Sequence, residues 1–346
     1  MPSSESEALR ALVKSQVAPV FAAEVPVEKQ RVMWESLSAI SDRPVLVLLG
    51  KLVKRSPACG ALLNFLAARP TLAKLQARLA ARPRPNQHIE YIKTENIKAE
   101  WISTGESEPD RVLFYLHGGG YFLGSARTYR NFVTALAKAT RRQAVALDYR
   151  LAPEHPFPAA LEDALAAYRW LVNTKHIRPE QIVMAGDSAG GGLVLATLIA
   201  LRDAGEALPA AAVLMSPWTD HNFTGASLVS RAKADPILTP KSLRVHSQYY
   251  RGQADPATPL ISPLYADLRG LPPLLIQVGS DEILLDDATR LAERAKEAGV
   301  SVELQVGEEM WHVWQVFVAQ LPEAQQAVAQ IRDFITQNTA VLLGLG

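Results

Sequence analysis

From Gln87 onward the chain alternates short unbroken apolar runs with longer stretches whose apolar positions recur at the helical period. Val112-Leu113-Phe114-Tyr115-Leu116 ends at glycines, and Ala144 to Leu147, Ile182 to Ala185, Ala211 to Met215 and Leu274 to Val278 repeat the form. Runs of this kind suit strands buried on both faces of a mostly parallel sheet. Between them, Ala159 to Val172, Gly190 to Arg202 and Ala288 to Ala298 have the period and the Ala/Leu content of helices. The pattern predicts an α/β fold: a mostly parallel central sheet flanked by helices. His88 to Thr94 and Lys98 to Ser103 alternate more strictly and read as antiparallel edge strands. Val302 to Val306 reads as a last strand.

Two regions break this rhythm. Residues 1–85 read as helical, with Leu9, Leu12, Val13 and Val17 on one face, Leu72, Leu75 and Leu79 on another, and Pro44, Pro57 and Pro70 between. Residues 217–264 separate two sheet strands by far more chain than an ordinary connection. Long insertions after sheet strands commonly cover a site, so both regions are expected to form a helical cap. The remaining core is then residues 86–216 and 265–346. No internal repeat or low-complexity tract is evident.

The central chemical signal is Gly186-Asp187-Ser188-Ala189-Gly190, between the run Ile182 to Ala185 and a helical stretch. A serine at a sharp strand-to-helix turn, flanked by glycines, is the setting of a hydrolase nucleophile, whereas the same letters elsewhere are an ordinary turn. His117-Gly118-Gly119-Gly120 follows another strand. Such a loop lets backbone N–H groups approach a ligand and, with the N–H of Ala189, can bind an oxyanion. As a phosphate loop it fails: Gly118, Gly120 and Gly124 miss the dinucleotide spacing by one residue, and Gly50-Lys51 lacks the rest of a Walker motif.

A nucleophilic serine needs a base, and the base needs an orienting carboxylate. Of the seven histidines only His312 lies beyond the acidic cluster after the strand Leu274 to Val278. The chain order Ser, acid, His therefore selects it. Asp281, Glu282, Asp286 and Asp287 are candidate acids. Asp281 is favoured, because it still faces the carboxyl edge of the sheet while Asp286 and Asp287 suit a helix N-terminus. His117, His155 and Asp148 have no recognisable metal-ligand spacing, so neither metal nor cofactor is expected. Asp148-Tyr149-Arg150 and Glu154-His155-Pro156 are read as a buried polar network behind the site. Trp218, Tyr249, Tyr250, Trp311 and Trp314 are candidates for the pocket wall or simply for the core.

Composition narrows the alternatives. Among 346 residues, Lys plus Arg number 36 against 35 for Asp plus Glu, a net charge of +1 that offers no field to attract nucleic acid. The only cysteine, Cys59, excludes an intrachain disulfide and is expected to be a small buried hydrophobe. The start MPSSESEALRALVKSQ has acids where a secretory signal would be basic, and Val45 to Leu49 is too short to span a bilayer. A cytoplasmic location is expected.

With these residues assembled, the sequence resembles the bacterial hormone-sensitive-lipase-like (family IV) esterases of the α/β-hydrolase superfamily, in the GDSAG branch. The resemblance runs from about His88 to the C-terminus. It rests on HGGGYFLGS (117–125), DYRLAPEHPFPAALEDA (148–164), GDSAGGG (186–192), SPWTD (216–220), GSDEILLDD (279–287) and His312. It implies the α/β-hydrolase fold under a helical cap, and hydrolysis of short-chain acyl esters through a Ser188, His312, Asp281 triad. Gly119, Gly120 and Ala189 would donate to the oxyanion and Gly118 would permit the turn. A homodimer through the last strand or final helix is a further implication. Two departures stand out: Val313 occupies a position that is often glycine in the family, and the stretch around Ser56 to Pro85 is longer than expected. A lactonase would need the same groups. A non-catalytic small-ligand receptor resembling the plant gibberellin receptors would not need His312.

Overall fold

The computed structural model describes residues 3–16 and 87–340. The apolar runs lie side by side in one sheet. In chain order its strands are β1 (Gln87–Lys93), β2 (Lys98–Thr104), β3 (Glu108–Leu116), β4 (Arg142–Leu147), β5 (Ile182–Asp187), β6 (Ala211–Met215), β7 (Leu274–Gly279) and β8 (Val302–Gly307). Their spatial order is β1-β2-β4-β3-β5-β6-β7-β8. β1 and β2 pair antiparallel, β2 pairs antiparallel with β4, and every pairing from β4 to β8 is parallel. The two alternating segments are thus the antiparallel edge.

The helices are α1 (Ser4–Gln16), α2 (Ala126–Thr140), α3 (Ala159–Asn173), α4 (Ala189–Asp203), α5 (Ser227–Ser230), α6 (Pro240–Arg251), α7 (Leu285–Glu297) and α8 (Pro322–Ala340). The pleat divides the core in two. Val112, Phe114, Leu116, Met184, Leu214 and Ile276 join residues of α3, α4 and α7 in one buried cluster. Their neighbours Leu113, Tyr115, Val183, Val213 and Leu275 join α2 and α8 in the other. Both faces are covered, which is why these strands read as continuous apolar runs.

Residues 217–264 contribute α5 and α6 beyond the carboxyl ends of the strands. Thr239 caps α6, accepting from Ser242 N at 3.0 Å, and Leu243 and Tyr250 are buried. His246 of α6 lies over the glycine loop, its Nδ1 only 3.1 Å from where a Cβ on Gly120 would stand. Of the N-terminal stretch, Ser4–Gln16 is the helix α1. Leu9 packs on the core, Ser6 is buried, and Ser3 N donates to Glu323 Oε1 of α8 at 2.7 Å. Val17, Cys59, the leucines from Leu72 to Leu79 and the stretch Ser56 to Pro85 lie outside the described residues. Among the described residues no helix is long and apolar enough to cross a membrane.

The polar network expected behind the site does not form as read. Arg150 is exposed and pairs with Asp163 and Glu162, while Glu154 and His155 are also exposed. Asp148 instead accepts from Ala126 N at the start of α2, at 2.6 Å. Tyr149 alone of this group reaches the glycine loop, donating from its hydroxyl to His117 O at 2.6 Å.

Candidate active site

β5 ends at Asp187 and α4 begins at Ala189, so Ser188 must reverse the chain by itself. It does so at φ 52°, ψ −121°, a strained conformation for a residue with a side chain. Three backbone bonds hold it there: Ser188 N donates to Met215 O (2.8 Å), and Ser188 O accepts from Gly192 N (3.1 Å) and Trp218 N (3.0 Å). The turn brings α4 against the end of β3, where a Cβ on Gly190 would fall 2.0 Å from Leu116 O. Only glycine fits.

The glycine loop leaves β3, the strand beside β5 in the sheet. Gly119 (φ 114°) and Gly120 (φ 64°) adopt conformations that favour glycine. The N–H of Gly118 donates to Asp187 Oδ1 at 2.8 Å, so of the four residues considered for the oxyanion hole, Gly118, Gly119, Gly120 and Ala189, it is engaged in the turn and not free to donate to a ligand. Asp187 also accepts from Tyr115 Oη (2.6 Å) and Tyr129 Oη (2.9 Å). Burial raises its carboxyl above the usual range, and these three donors offset that. One carboxylate thereby joins the nucleophile's turn to the glycine loop. His117 stacks on Tyr149 with ring centroids 4.3 Å apart, and burial lowers its pKa to about 4. His117 is buried and His155 exposed, and among the described residues no group of three or more His, Cys, Asp or Glu is placed to hold a metal ion.

His312 lies beyond β8, and its Nε2 is 2.9 Å from Ser188 Oγ. Its Nδ1 is 2.7 Å from a carboxylate, but the carboxylate is Glu282. The expectation of Asp281 is therefore corrected. Ser280 N and Asp281 N donate to Gly307 O (2.9 Å) and Met310 O (3.0 Å), tying the turn after β7 to the β8 side. The Asp281 carboxylate then points to Arg10, 2.5 Å away, and stays partly exposed. Glu282, fully buried, receives Gly279 N at Oε1 (2.6 Å) and His312 at Oε2. Asp286 and Asp287 serve backbone donors: Asp286 accepts from Ser227 N (2.9 Å), and Asp287 from Thr219 N and Asp220 N (2.8 Å each).

Ser216, which the sequence reading left without a role, completes the acid side. Its hydroxyl donates to Glu282 Oε1 (2.7 Å) and accepts from Val313 N (3.1 Å). One buried group links acid to histidine loop. Val313 sits at φ 56°, ψ 42°, the left-handed region, which explains why glycine suits this position and marks a strained valine here. Burial works to lower the pKa of His312, but the hydrogen bond and charge of Glu282, helped by Asp235 and Asp187, outweigh it and raise it. A hydrogen bond at Nδ1 places the ring proton there and leaves Nε2 to accept from Ser188.

Around the glycine loop the walls are aromatic. Tyr121 stacks on Tyr250 at 3.5 Å, with Trp218 6.2 Å away, and Phe122 faces His246 at 4.1 Å. Trp218, Tyr249, Tyr250, Trp311 and Trp314 are all buried; Trp218 and Tyr250 pack beside the loop through Tyr121, and Tyr249 through Phe122 at 6.5 Å.

Residues 113–316 match a family described as having the alpha/beta hydrolase fold. The chain belongs to it. An acetyl-hydrolase of Streptomyces hygroscopicus is 46% identical over 250 residues, 72% of this chain and 83% of that protein. An esterase of the bacterial hormone-sensitive lipase family, known from a crystal structure, is 47% identical with a TM-score of 0.74, covering 77% of this chain and 90% of its own. The esterase EstE5, in a crystal soaked with p-nitrophenyl butyrate, is 36% identical with a TM-score of 0.78 over 98% of this chain and 99% of its own. The α/β-hydrolase described here is a carboxylic ester hydrolase of the hormone-sensitive-lipase-like family.

Proposed function

We propose that this hydrolase cleaves short-chain acyl esters through an acyl-enzyme, with Ser188 as nucleophile, His312 as base and Glu282 as the orienting acid. The observation that carries the reading is the continuous chain Ser188 Oγ, His312, Glu282 at 2.9 and 2.7 Å. Ser188 Oγ attacks the ester carbonyl while His312 Nε2 takes its proton, and Glu282 stabilises the imidazolium. The carbonyl oxygen becomes an anion, which the N–H groups of Gly119, Gly120 and Ala189 receive. His312 protonates the departing alcohol, then takes a proton from water that attacks the acyl-enzyme and restores Ser188. Within the family we place the chain in the branch whose nucleophile motif reads GDSAG, as residues 186–190 do.

The preference for short acyl groups is supported by the enclosure of the site. Ser188 is only 7% exposed, and the glycine loop lies beneath His246. We assign to α1 and to residues 217–264 the covering role expected of a cap. The acetyl-hydrolase relative and the butyrate ester soaked into EstE5 point the same way. The test is a series of p-nitrophenyl acetate, butyrate, octanoate and palmitate, run beside a lactone and with Ser188→Ala as the blank. The reading expects kcat/KM to be highest for acetate or butyrate and a fluorophosphonate to label the wild type but not the variant. A maximum at palmitate would overturn the chain-length assignment, and full activity of folded Ser188→Ala would overturn the mechanism.

A further inference from the structure

The acid-bearing turn is held from outside the sheet on both sides of Glu282. On one side is Asp281, whose Oδ2 receives Arg10 Nη2 at 2.5 Å. The same nitrogen donates to Ala234 O at 2.8 Å, and Arg10 Nη1 reaches Glu309 O at 3.5 Å. One guanidinium of α1 therefore touches the acid turn, the insertion and the loop that runs on to His312. On the other side is Ile283, whose N–H donates to Asp235 Oδ2 at 3.0 Å. Asp235 follows Ala234 in the insertion, is buried, and fixes its own turn by accepting from Ile237 N (2.8 Å) and Leu238 N (2.9 Å).

We propose that Arg10 is a positioning residue for the reaction: through Asp281, Ala234 and Glu309 it holds Glu282 in register with His312, so that the N-terminal helix sets the acid as well as covering the site. The inference rests on Glu282 serving as the triad acid. Arginine suits the task, because its planar fork meets several acceptors at fixed angles, as the single point charge of lysine does not. α1 has other anchors in Ser3, Ser6 and Leu9, so the helix stays docked when the guanidinium is removed. A small displacement of a triad member is enough to slow the chemical step without weakening substrate binding.

The test compares Arg10→Met, Asp281→Asn, the double variant and Arg10→Lys in the full chain. kcat and KM for p-nitrophenyl butyrate are measured from about pH 5 to pH 9, spanning the histidine range. Each single variant should lower kcat by roughly tenfold with KM within about twofold, since the loss is one of alignment. The acid limb of the profile should move to lower pH, because a displaced Glu282 supports the imidazolium less. The double variant should be no worse than Arg10→Met, because Asp281 acts through that guanidinium, and Arg10→Lys should recover part of kcat. An unchanged kcat and acid limb with only a lower melting temperature would overturn the proposal, as would a rise in KM alone. Glu282→Gln separates the two readings. If it is inactive while Arg10→Met and Asp281→Asn match wild type, only the role of Arg10 falls; if it is active, the triad assignment falls with it.

Discussion

The two halves of the catalytic centre are built on opposite plans. The nucleophile side is made from the ends of two adjacent strands, β3 and β5: Ser188 and the glycines lie in HGGG and GDSAG, while Met215, Trp218, Tyr115 and Tyr129 only brace them. The acid side gathers Ser216, Glu282, His312 and the N–H of Val313 from three separate stretches of chain, with Asp235 and Arg10 adding two more. A compact plan leaves a motif in the sequence, because its spacing is its geometry. A dispersed plan leaves single letters whose meaning depends on where the fold brings them.

The comparison breaks most sharply at the two neighbouring acids. Glu282→Gln should lower kcat by about four orders of magnitude, since an amide does not hold the required imidazole tautomer or its positive charge. Asp281→Asn should lower it by only about tenfold, the smaller effect of a displaced turn. Equal losses in stopped assays on folded protein would mean that the acid side does not rest on one carboxylate.

On the nucleophile side, Asp187→Asn replaces an acceptor of three hydrogen bonds with a group that also donates, and Tyr115, Tyr129 and Gly118 N already donate to it. It should remove about 1–3 kcal/mol of stability by urea titration and reduce kcat as the glycine loop loosens. A variant as stable and active as wild type would show that the two loops are set independently. Ser216→Ala, the matching change on the other side, should lower kcat by about tenfold and leave the stability loss near 1 kcal/mol. Its diagnostic is the acid limb of kcat/KM, which should shift if the hydroxyl aligns Glu282 and stay put if it only fills space.

The pH response sharpens the contrast with the smallest effects. His312 is raised above its ordinary value of about 6.5, so activity should fall away with a midpoint above that pH as Nε2 acquires a proton. The buried histidines elsewhere behave oppositely: burial lowers His117 to about 4, and His221 and His246 to about 3. Their folded values lie below the unfolded one, so the unfolded chain binds protons first. Stability is full above about pH 6.5 and is lost below it, at up to about 1.4 kcal/mol per pH unit for each group. Activity lost just below neutrality should therefore return on raising the pH, whereas unfolding should set in at lower pH. Coincident loss of activity and near-ultraviolet circular dichroism would contradict this.

The same contrast explains what could be read from the sequence. The sheet was legible because runs such as Val112 to Leu116 are buried on both faces, and the edge strands because theirs are not. Ser188 and the glycines announced themselves by context. The error fell on Asp281, next to the residue that faces His312. Strand position alone put both acids at the right edge of the sheet; the turn after Gly279 decides which one looks inward. A signal was present in Glu282-Ile283-Leu284, where two apolar neighbours mark the inward-facing stretch and Asp281 sits at its polar margin. Ser216 belongs to a quoted motif but has no partner in its own neighbourhood, and Arg10 has no local pattern at all.

The bond between Gly118 and Asp187 has a consequence for how the protein reaches its working form. The carboxylate belongs to the segment that carries Ser188, the proposed nucleophile, while the amide belongs to the glycine loop, and the bond between them forms only once β3 and β5 have paired. A chain that has collapsed without that pairing leaves a buried charge without its donors, an unfavourable state. Assembly and competence should thus arrive together. In refolding from urea, recovery of ester cleavage should follow the same time course as the burial of Tyr115 and Tyr129, with no inactive compact species accumulating ahead of it.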